Sequence, residues 1–252
     1  MSKGKNSLLH RFFEKYYKNQ HPESALRYLP IVQILKTHKL QNSTILEVGS
    51  GSLGITPYLK RQVDGVDSDF SGTKTPLLNK IKGSAIDLPF RKNSYDVVIS
   101  TDTLEHIPAN LREKAIDEML RVGRRLVIIV VPTGLLSQKQ DSQLHDRFQK
   151  VFKQKDKFLS EHVQNGLPKN DEILVTIDRS LRNMGKNATV SSKPLLNLAV
   201  RKLIMYTWIS QNKYVYYTYM KGYLLLLPLL RLANFGNCYR RMFVIEFEAP
   251  NT

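Results

Sequence analysis

Residues 43–67 contain two short apolar runs separated by a glycine-rich turn, and this segment constrains the fold more than any other. The first run, 43–49, is rich in aliphatic residues, is too short for a helix and ends in glycine. The second run, 62–67, ends in an acid, and residues 55–60 between the two can form a short helix. The segment therefore predicts a strand, a tight turn, a helix and a second strand, the unit from which parallel sheets are built.

The alternation of strands and helices continues along the middle of the chain. Apolar runs at 95–100 and 125–131 predict two further strands, with an amphipathic helix over 109–122 between them. The run at 125–131 has no polar face, which is typical of a strand buried on both sides. The sequence thus predicts an α/β fold with a doubly wound, mostly parallel sheet, which binds its ligands at the carboxyl ends of the strands.

The two ends of the chain follow other patterns. Helical spacing of apolar residues at 8–17 and 24–38 predicts helices before the sheet, and further helices are expected at 145–164 and 170–184. A strand is expected at 188–192, before an aromatic, leucine-rich segment of helical character. The predicted organisation is an N-terminal helical segment over 1–40, an α/β core over 41–192, a helical lid or insert over 193–238 and a closing strand of the core sheet over 239–249.

The charge of the chain is strongly basic and unevenly distributed. The net charge is +16; residues 1–40 hold eight Lys and Arg against two acids, and residues 179–245 hold eleven and no acid. Basic ends suggest a polyanionic neighbour, either nucleic acid or an anionic membrane surface, and a solvated basic surface without a partner stays open. The single cysteine, Cys238, excludes a disulfide within the chain and a multi-thiolate zinc site, and it predicts a cytoplasmic protein.

The turn after the first predicted strand carries the strongest candidates for ligand binding. Glycines at 49, 51 and 54 allow a tight turn and a close approach of the backbone to a ligand. Glu47, two residues before the first glycine, is unfavourable next to a pyrophosphate but favourable next to a cation such as an ammonium or sulfonium group. Asp67 ends the next predicted strand, where its carboxylate can accept hydrogen bonds from both hydroxyls of a ribose.

Residues 45–132 resemble the class I S-adenosylmethionine (SAM)-dependent methyltransferases, in particular the large family with small-molecule and lipid-type acceptors. Five motifs occur in the family's order and spacing, at 45–51, at 65–67, at 83–90 followed by 95–96, at 103–107, and at 119–122 before a strand that ends at 132. The resemblance implies a Rossmann-like methyltransferase fold with SAM as its cofactor.

The resemblance also implies which residues contact SAM. The methionine part would lie against the residues of the first motif, the ribose against Asp67 and the adenine against Ser84 and Ala85. Thr101 would lie beside the cofactor. The complete set of implied cofactor-binding residues is Glu47, Gly49, Ser50, Gly51, Asp67, Ser84, Ala85 and Thr101.

Two positions depart from the family's pattern. The third glycine is Gly54, one residue later than the commonest spacing, so the loop is expected to differ in shape. Ser84 stands where the family usually has Asp, and a neutral hydroxyl is a weaker acceptor for the adenine amino group. Asp87, three residues on, is a candidate to replace it, although a role as a loop or helix cap is equally open.

A general base is needed only if the acceptor must lose a proton. His106, just beyond the strand at 95–100 and next to Glu105, is the best-placed candidate, because an imidazole suits proton removal at neutral pH. A role of both residues in capping or packing the next helix stays open. No metal site is predicted, because no spacing puts three ligands on one face; two further pairs are expected at the surface, namely His145 with Asp146 and Glu161 with His162.

The predicted activity is methyl transfer from SAM to a small-molecule or lipid-linked acceptor. Oxygen is the favoured acceptor atom, because residues 100–103 lack the Asn/Asp-Pro-Pro-aromatic turn of amino-methyltransferases. RNA methylation is the main alternative, suggested by the basic charge. Glu47 argues against an NAD-type oxidoreductase, and the presence of Glu47, the glycines and Asp67 together argues against a non-catalytic scaffold.

Residues 199–234 are expected to form a lid over the acceptor. Their Tyr and Trp residues, mixed with Lys and Arg, suit both a membrane interface and stacking on single-stranded RNA. The uncharged run between Lys221 and Arg231 is nine residues, shorter than the roughly 20 needed to span a bilayer. We expect a cytoplasmic protein in which this lid either only packs its Leu residues on the core or also makes a peripheral contact with the inner face of an anionic membrane.

Overall fold

The computed structural model describes residues 8–248, so residues 1–7 of the predicted N-terminal segment and residue 249 of the predicted closing strand lie outside the described part. The helices are Leu8–Tyr16 (α1), Pro22–Thr37 (α2), Thr56–Leu59 (α3), Arg112–Val122 (α4), Leu135–Phe152 (α5), Lys157–Asn165 (α6), Asn170–Met184 (α7), Leu198–Trp208 (α8), Lys213–Tyr217 (α9), Tyr223–Leu225 (α10) and Leu227–Leu230 (α11). The strands are Ile45–Val48 (β1), Val63–Asp67 (β2), Leu78–Lys82 (β3), Tyr95–Thr101 (β4), Gly123–Pro132 (β5), Ala188–Asn197 (β6) and Cys238–Phe247 (β7).

These strands form one seven-stranded sheet in the order β3-β2-β1-β4-β5-β7-β6. Neighbouring strands from β3 to β5 are parallel, whereas β7 runs antiparallel to both β5 and β6. Alternate residues of the central strands enter two separate buried apolar clusters, one on each face of the sheet. The prediction of a doubly wound, mostly parallel sheet is confirmed. Because the strand order reverses between β1 and β4, the ligand crevice of such a sheet lies at their carboxyl ends.

The edge strands are where the sequence prediction and the structure differ. Strand β3 was not predicted, because its sequence LNKIK has only two apolar side chains and shows no clear alternation. Strand β6 continues to Asn197, five residues beyond the predicted strand at 188–192. Both lie at sheet edges, where one neighbour is missing and polar side chains are tolerated, so their apolar pattern is weak.

The polar helix predicted over 145–164 is two helices. The first, α5, begins ten residues earlier, at Leu135. It ends at Lys153, which adopts the left-handed conformation (φ +58°) that closes many helices. The second, α6, begins after Asp156, whose side chain accepts a hydrogen bond from the backbone N–H of Leu159 at 2.9 Å.

The segment between β6 and β7 leaves the sheet at the carboxyl ends of the parallel strands, because β6 runs antiparallel to β7 and therefore parallel to β5. It packs against α2 through Leu224 and Leu227, which join the buried cluster on that face of the sheet. Leu225, Leu226 and Leu229 are exposed, so the leucine run is divided between core and surface. Within the described part of the chain, no helix is both long enough and apolar enough to cross a membrane.

A buried ion pair fastens this segment to the core. Arg201 on α8, only 3% exposed, donates to Asp141 Oδ1 at 2.8 Å and to Gln140 Oε1 at 2.7 Å, both on α5. Asp141 also accepts a hydrogen bond from the Tyr239 hydroxyl of β7 at 2.8 Å. Burial alone would raise the pKa of Asp141, but the Arg201 guanidinium and other donors hold it below its ordinary value.

Replacing Arg201 with Met should lower the free energy of unfolding by about 3–5 kcal/mol, because it leaves the buried Asp141 carboxylate without its cation. Arg182→Met is the matched control, since Arg182 pairs with Asp178 at the surface and such pairs contribute at most about 1 kcal/mol. Urea denaturation of the three proteins measures the difference. Equal destabilisation by the two substitutions would contradict the structural role of the buried pair.

Candidate functional site

The glycine-rich turn after β1 lies at the switch point of the sheet, and two of its glycines have no room for a side chain. Gly49 has φ +75°, and a Cβ atom there would lie 2.1 Å from Thr103 Oγ1, in the turn after β4. Gly54 has φ +53°, and a Cβ atom there would lie 2.1 Å from Glu47 Oε2. The loop therefore packs closely against the turn after β4 on one side and against a buried carboxylate on the other.

That carboxylate, Glu47, is completely buried under the loop. Its Oε1 accepts a hydrogen bond from the Tyr28 hydroxyl of α2 at 2.7 Å, and its Oε2 accepts one from the backbone N–H of Ile55 at 2.7 Å. Burial raises the pKa of Glu47 to about 7, although both of these hydrogen bonds act in the opposite direction. Both oxygens of Glu47 are thus engaged by the protein, and its predicted contact with the methionine part of SAM stays a prediction.

Asp67 lies at the carboxyl end of β2 and faces the same loop. Its Oδ2 accepts a hydrogen bond from the Gly51 N–H at 2.7 Å, and its Oδ1 accepts one from the Asp69 N–H at 3.0 Å. Asp67 is half-buried, and a Cβ atom on Gly51 would have no neighbour within 4 Å among the described residues beyond those adjacent in the chain. A strand-end carboxylate beside open backbone fits the ribose of a nucleoside cofactor.

The remaining residues predicted to contact SAM lie around this loop. Ser50 is buried against Gly65 of β2, and Thr101 is buried at the carboxyl end of β4. Ser84 and Asp87, beyond the end of β3, are both exposed and form a short bridge in which the Asp87 N–H donates to the Ser84 carbonyl at 3.1 Å. Ser84 and Asp87, the two polar candidates for adenine recognition, are therefore close to each other. Ala85, the remaining predicted residue, lies between them in the chain and is half-buried.

Asp102 follows β4 and adopts a left-handed conformation (φ +49°) that is costly for most residues. It accepts from the Arg27 guanidinium of α2 at 2.5 Å and from Arg240 Nε of β7 at 2.6 Å. Arg240 also pairs with Glu23 of α2. Burial would raise the pKa of Asp102, but the two guanidinium groups hold it well below its usual range.

Sequence reasoning did not find this cluster. Glu23 and Arg27 are spaced by four residues on α2 and point to the same side of the helix, which is a detectable signal. Nothing in their spacing indicates Asp102 or Arg240. Asp102 lies 75 positions from Arg27 in the chain, and Arg240 lies 138 positions from Asp102.

Two histidines from different elements meet immediately beyond Asp102. His106 follows β4, and its Nδ1 lies 2.7 Å from Glu161 Oε2; His162 is on α6, and its Nδ1 lies 2.8 Å from Asp141 Oδ2. The two Nε2 atoms lie 3.4 Å apart. The expectation that His162 is a surface residue is wrong, because it is 7% exposed. Burial and the neighbouring His162 lower the pKa of His106, against the opposing effect of Glu161.

Glu105 completes this group. Its side chain is 0% exposed, and its Oε1 lies 3.8 Å from His162 Nε2. Neither carboxyl oxygen has a hydrogen-bond partner in the described part of the chain. Burial and the nearby Asp102 raise the pKa of Glu105 well above its ordinary value. Ligand atoms of Glu105, His106 and His162 all lie within 4.8 Å of one another, so the fold joins groups that sequence spacing had kept apart.

A cavity of about 460 Å³ lies between α1, α3 and the segment before β3, and Leu53 of the glycine-rich turn is part of its lining. Its polar lining includes Lys15, Lys18, Lys60 and Lys74. None of the residues predicted to contact SAM lines it.

Replacing Glu47 with Gln should remove a pH dependence of stability. The pKa of this group rises from 4.5 to about 7 on folding, so the unfolded chain loses the proton first and wild-type stability falls as pH rises through this window. Between pH 5 and 8, the stability of the variant relative to wild type should increase by roughly 2–3 kcal/mol.

Urea denaturation at both pH values measures this change, with Glu113→Gln as the control because Glu113 is an exposed partner of Arg179. A constant difference between Glu47→Gln and wild type across this pH range would show that Glu47 is ionised at ordinary pH in the folded protein.

Residues 46–131, which include most of β1, all of β2 to β4 and most of β5, match the family model described as a methyltransferase domain. Among curated protein sequences, none matches the chain. Solved structures resemble it at low identity and therefore show the fold. A SAM-dependent methyltransferase of Thermotoga maritima, described as a possible histamine N-methyltransferase, has a TM-score of 0.53 at 14% identity and covers 94% of each chain.

Two further neighbours share this fold. Phosphoethanolamine N-methyltransferase 2 of Haemonchus contortus, in complex with SAM, has a TM-score of 0.57 at 18% identity, over 97% of this chain and 58% of that one. A putative methyltransferase from an antibiotic biosynthesis pathway of Anabaena variabilis has a TM-score of 0.51 at 17% identity, over 84% and 96%. Residues 46–131 are therefore a methyltransferase domain, and the chain has the fold of SAM-dependent methyltransferases.

Proposed function

We propose that this methyltransferase acts on an oxygen atom of a small-molecule or lipid-linked acceptor. The proposal rests on the contact between the two halves of the site, which are the glycine-rich loop after β1 and the turn after β4. Thr103 packs on Gly49, and its Oγ1 donates to the Val48 carbonyl at 3.2 Å. The turn that leads to His106 therefore lies against the loop proposed to bind the cofactor, and an acceptor beside the histidines is close to the methyl donor.

For the cofactor, we propose contacts that follow the burial of each side chain. Asp67 would accept hydrogen bonds from the ribose, and Ser84 with Ala85 would meet the adenine. Gly49, Ser50 and Gly51 would meet the methionine part through their backbone atoms, because the Ser50 side chain is buried. The side chains of Glu47 and Thr101 are buried, so we assign both residues to supporting positions beneath the cofactor contacts.

SAM supplies a methyl group on a sulfonium, which an acceptor displaces in line, so the protein contributes mainly by positioning. On the acceptor side, we propose His106 as the residue that receives the hydroxyl proton. Its lowered pKa favours the neutral imidazole, and Glu161 can hold the ring in one orientation. This proton transfer motivates oxygen as the acceptor atom.

We further propose that residues 199–234 act as a lid at an anionic membrane surface. Their exposed side chains include Tyr214, Tyr217, Leu229 and Leu232, which suit the interfacial zone. The available charge is smaller than the sequence suggests, because Arg201 and Arg240 are buried in ion pairs. Each remaining Lys or Arg near an anionic leaflet contributes about 1 kcal/mol. A cytoplasmic protein at the inner face of the membrane follows from this proposal.

Asp67→Ala should weaken SAM binding by about a hundredfold, because two charge-assisted hydrogen bonds to the ribose are worth on the order of 3 kcal/mol. Asp67→Asn keeps the shape and tests the charge alone. Asp69→Ala is the matched control, since Asp69 is an exposed acid two residues away whose side chain bonds only to Ser71 among the described contacts. Calorimetric titration with SAM measures all four proteins; unchanged affinity in Asp67→Ala would contradict the assigned ribose contact.

The acceptor class is tested with methyl-labelled SAM and liposomes of a total lipid extract that contains anionic lipid. We expect the protein to sediment with the liposomes at low salt, to dissociate at high salt and to place label in the lipid phase. The double variant Leu229→Ser, Leu232→Ser should bind the liposomes at least about fivefold more weakly, because both side chains are exposed in the lid.

Val175→Ser, an equally conservative loss of an exposed apolar side chain on α7, is the control and should bind normally. A parallel reaction with total RNA examines the alternative. Label in RNA and none in lipid would move the acceptor to nucleic acid, which the basic charge of the chain also suits.

A further inference from the structure

Three proton-accepting groups converge beyond the end of β4. The Nε2 atoms of His106 and His162 lie 3.4 Å apart, and Oε1 of Glu105 lies 3.8 Å from the second of them. These residues come from two elements, the turn after β4 and helix α6, which contact each other: Asn165 Nδ2 at the end of α6 donates to the His106 carbonyl at 3.2 Å. Leu104 of the turn and Leu159 of α6 are both buried, so the packing of the two elements brings the three groups together.

The hydrogen bonds on the far side of each ring determine what the near side presents. His106 Nδ1 lies 2.7 Å from Glu161 Oε2, and His162 Nδ1 lies 2.8 Å from Asp141 Oδ2. A carboxylate accepts, so each Nδ1 carries a proton, and the Nε2 atom is the position of each ring that is left to bind a ligand. Two nitrogens that can each offer a lone pair then face each other.

Glu105 adds to this unbalanced group. It is 0% exposed, and neither of its oxygens has a hydrogen-bond partner among residues 8–248. A buried carboxyl group without a partner is costly, and so are two facing lone pairs. The guanidinium groups around it are already engaged, those of Arg27 and Arg240 by Asp102 and that of Arg112 by backbone carbonyls. A cation placed between the three groups would satisfy all of them at once.

We propose that Glu105, His106 and His162 bind a divalent first-row transition metal ion such as Zn²⁺. Two nitrogen ligands at about 2.1 Å in tetrahedral geometry lie about 3.4 Å apart, which matches the separation of the two Nε2 atoms. The Glu105 oxygen lies 3.8 Å from His162 Nε2 and within 4.8 Å of the His106 ligand atom, so it needs to move by about 1 Å to complete the set. Glu161 and Asp141 hold the ligating rings from behind, as carboxylates do in many metal sites.

The ligand set also indicates the kind of ion and the kind of site. Two imidazoles and one carboxylate suit Zn²⁺, Co²⁺, Mn²⁺ or Fe²⁺ better than Mg²⁺ or Ca²⁺, which prefer oxygen ligands only. Three protein ligands leave at least one position to water or to an oxygen of a bound molecule, as in catalytic sites. This metal site does not depend on which molecule accepts the methyl group. If the ion is bound, His106 would be a ligand instead of the base proposed above, and an acceptor hydroxyl on the open position of the ion would lose its proton more easily.

The test uses the full chain without a histidine tag, stripped of metal by a chelator. Calorimetric titration with Zn²⁺ should show one site, and Co²⁺ should give visible absorption bands of a low-coordinate complex. His106→Ala and Glu105→Gln should each weaken Zn²⁺ binding by about a hundredfold or more and abolish the Co²⁺ bands. His145→Ala is the matched control, because His145 lies on α5 next to Asp146, outside the cluster, and should bind as wild type does.

Glu161→Gln tests the positioning role behind His106. Glu161 is 31% exposed, so the variant should fold normally, and loss of its charge should weaken Zn²⁺ binding by roughly 10–100-fold. SAM affinity, measured on the same samples, should not change in any of these variants. SAM binding without Zn²⁺ binding in wild type would overturn the metal site alone, whereas Zn²⁺ binding that persists in His106→Ala would place the ion elsewhere and overturn it equally.

Discussion

The Asp102 carboxylate holds together the turn on which both halves of the site depend. It is clamped between Arg27 of α2 and Arg240 of β7, so three distant parts of the chain meet at the end of β4. Removing ions from water is costly, and such a cluster persists because each charge has a partner at short distance. Its consequence is positional: the following residue, Thr103, packs on Gly49, and the next turn carries the histidine cluster.

Helix α2 lies outside the matched methyltransferase domain and still completes the site. It supplies Tyr28, which bonds to the buried Glu47 under the cofactor loop, and Arg27, which bonds to Asp102. Its apolar side packs on the face of the sheet that also receives the insert between β6 and β7. The loop, the turn after β4 and the insert are therefore connected through one helix, so a change in its packing would reach all three.

The insert between β6 and β7 has both buried and exposed leucines. Leu224 and Leu227 fill the core against α2, whereas Leu229 and Leu232 face outward. Arg201 and Asp141 anchor the segment through a buried pair, and Asp141 also holds His162. The same carboxylate thus links the insert to the histidine cluster.

The sequence by itself determined the parallel core, the glycine turn and the acid at the end of β2, because strongly periodic apolar runs and glycine positions act locally. It missed β3, whose edge position allows a polar sequence. It also predicted a ligand contact for Glu47 but did not show that the Tyr28 hydroxyl donates to this carboxylate. That hydrogen bond joins two elements and spans 19 residues. Only the tertiary structure brought His106 and His162 together, because their meeting depends on where α6 packs against the turn after β4, and no spacing along the chain encodes that.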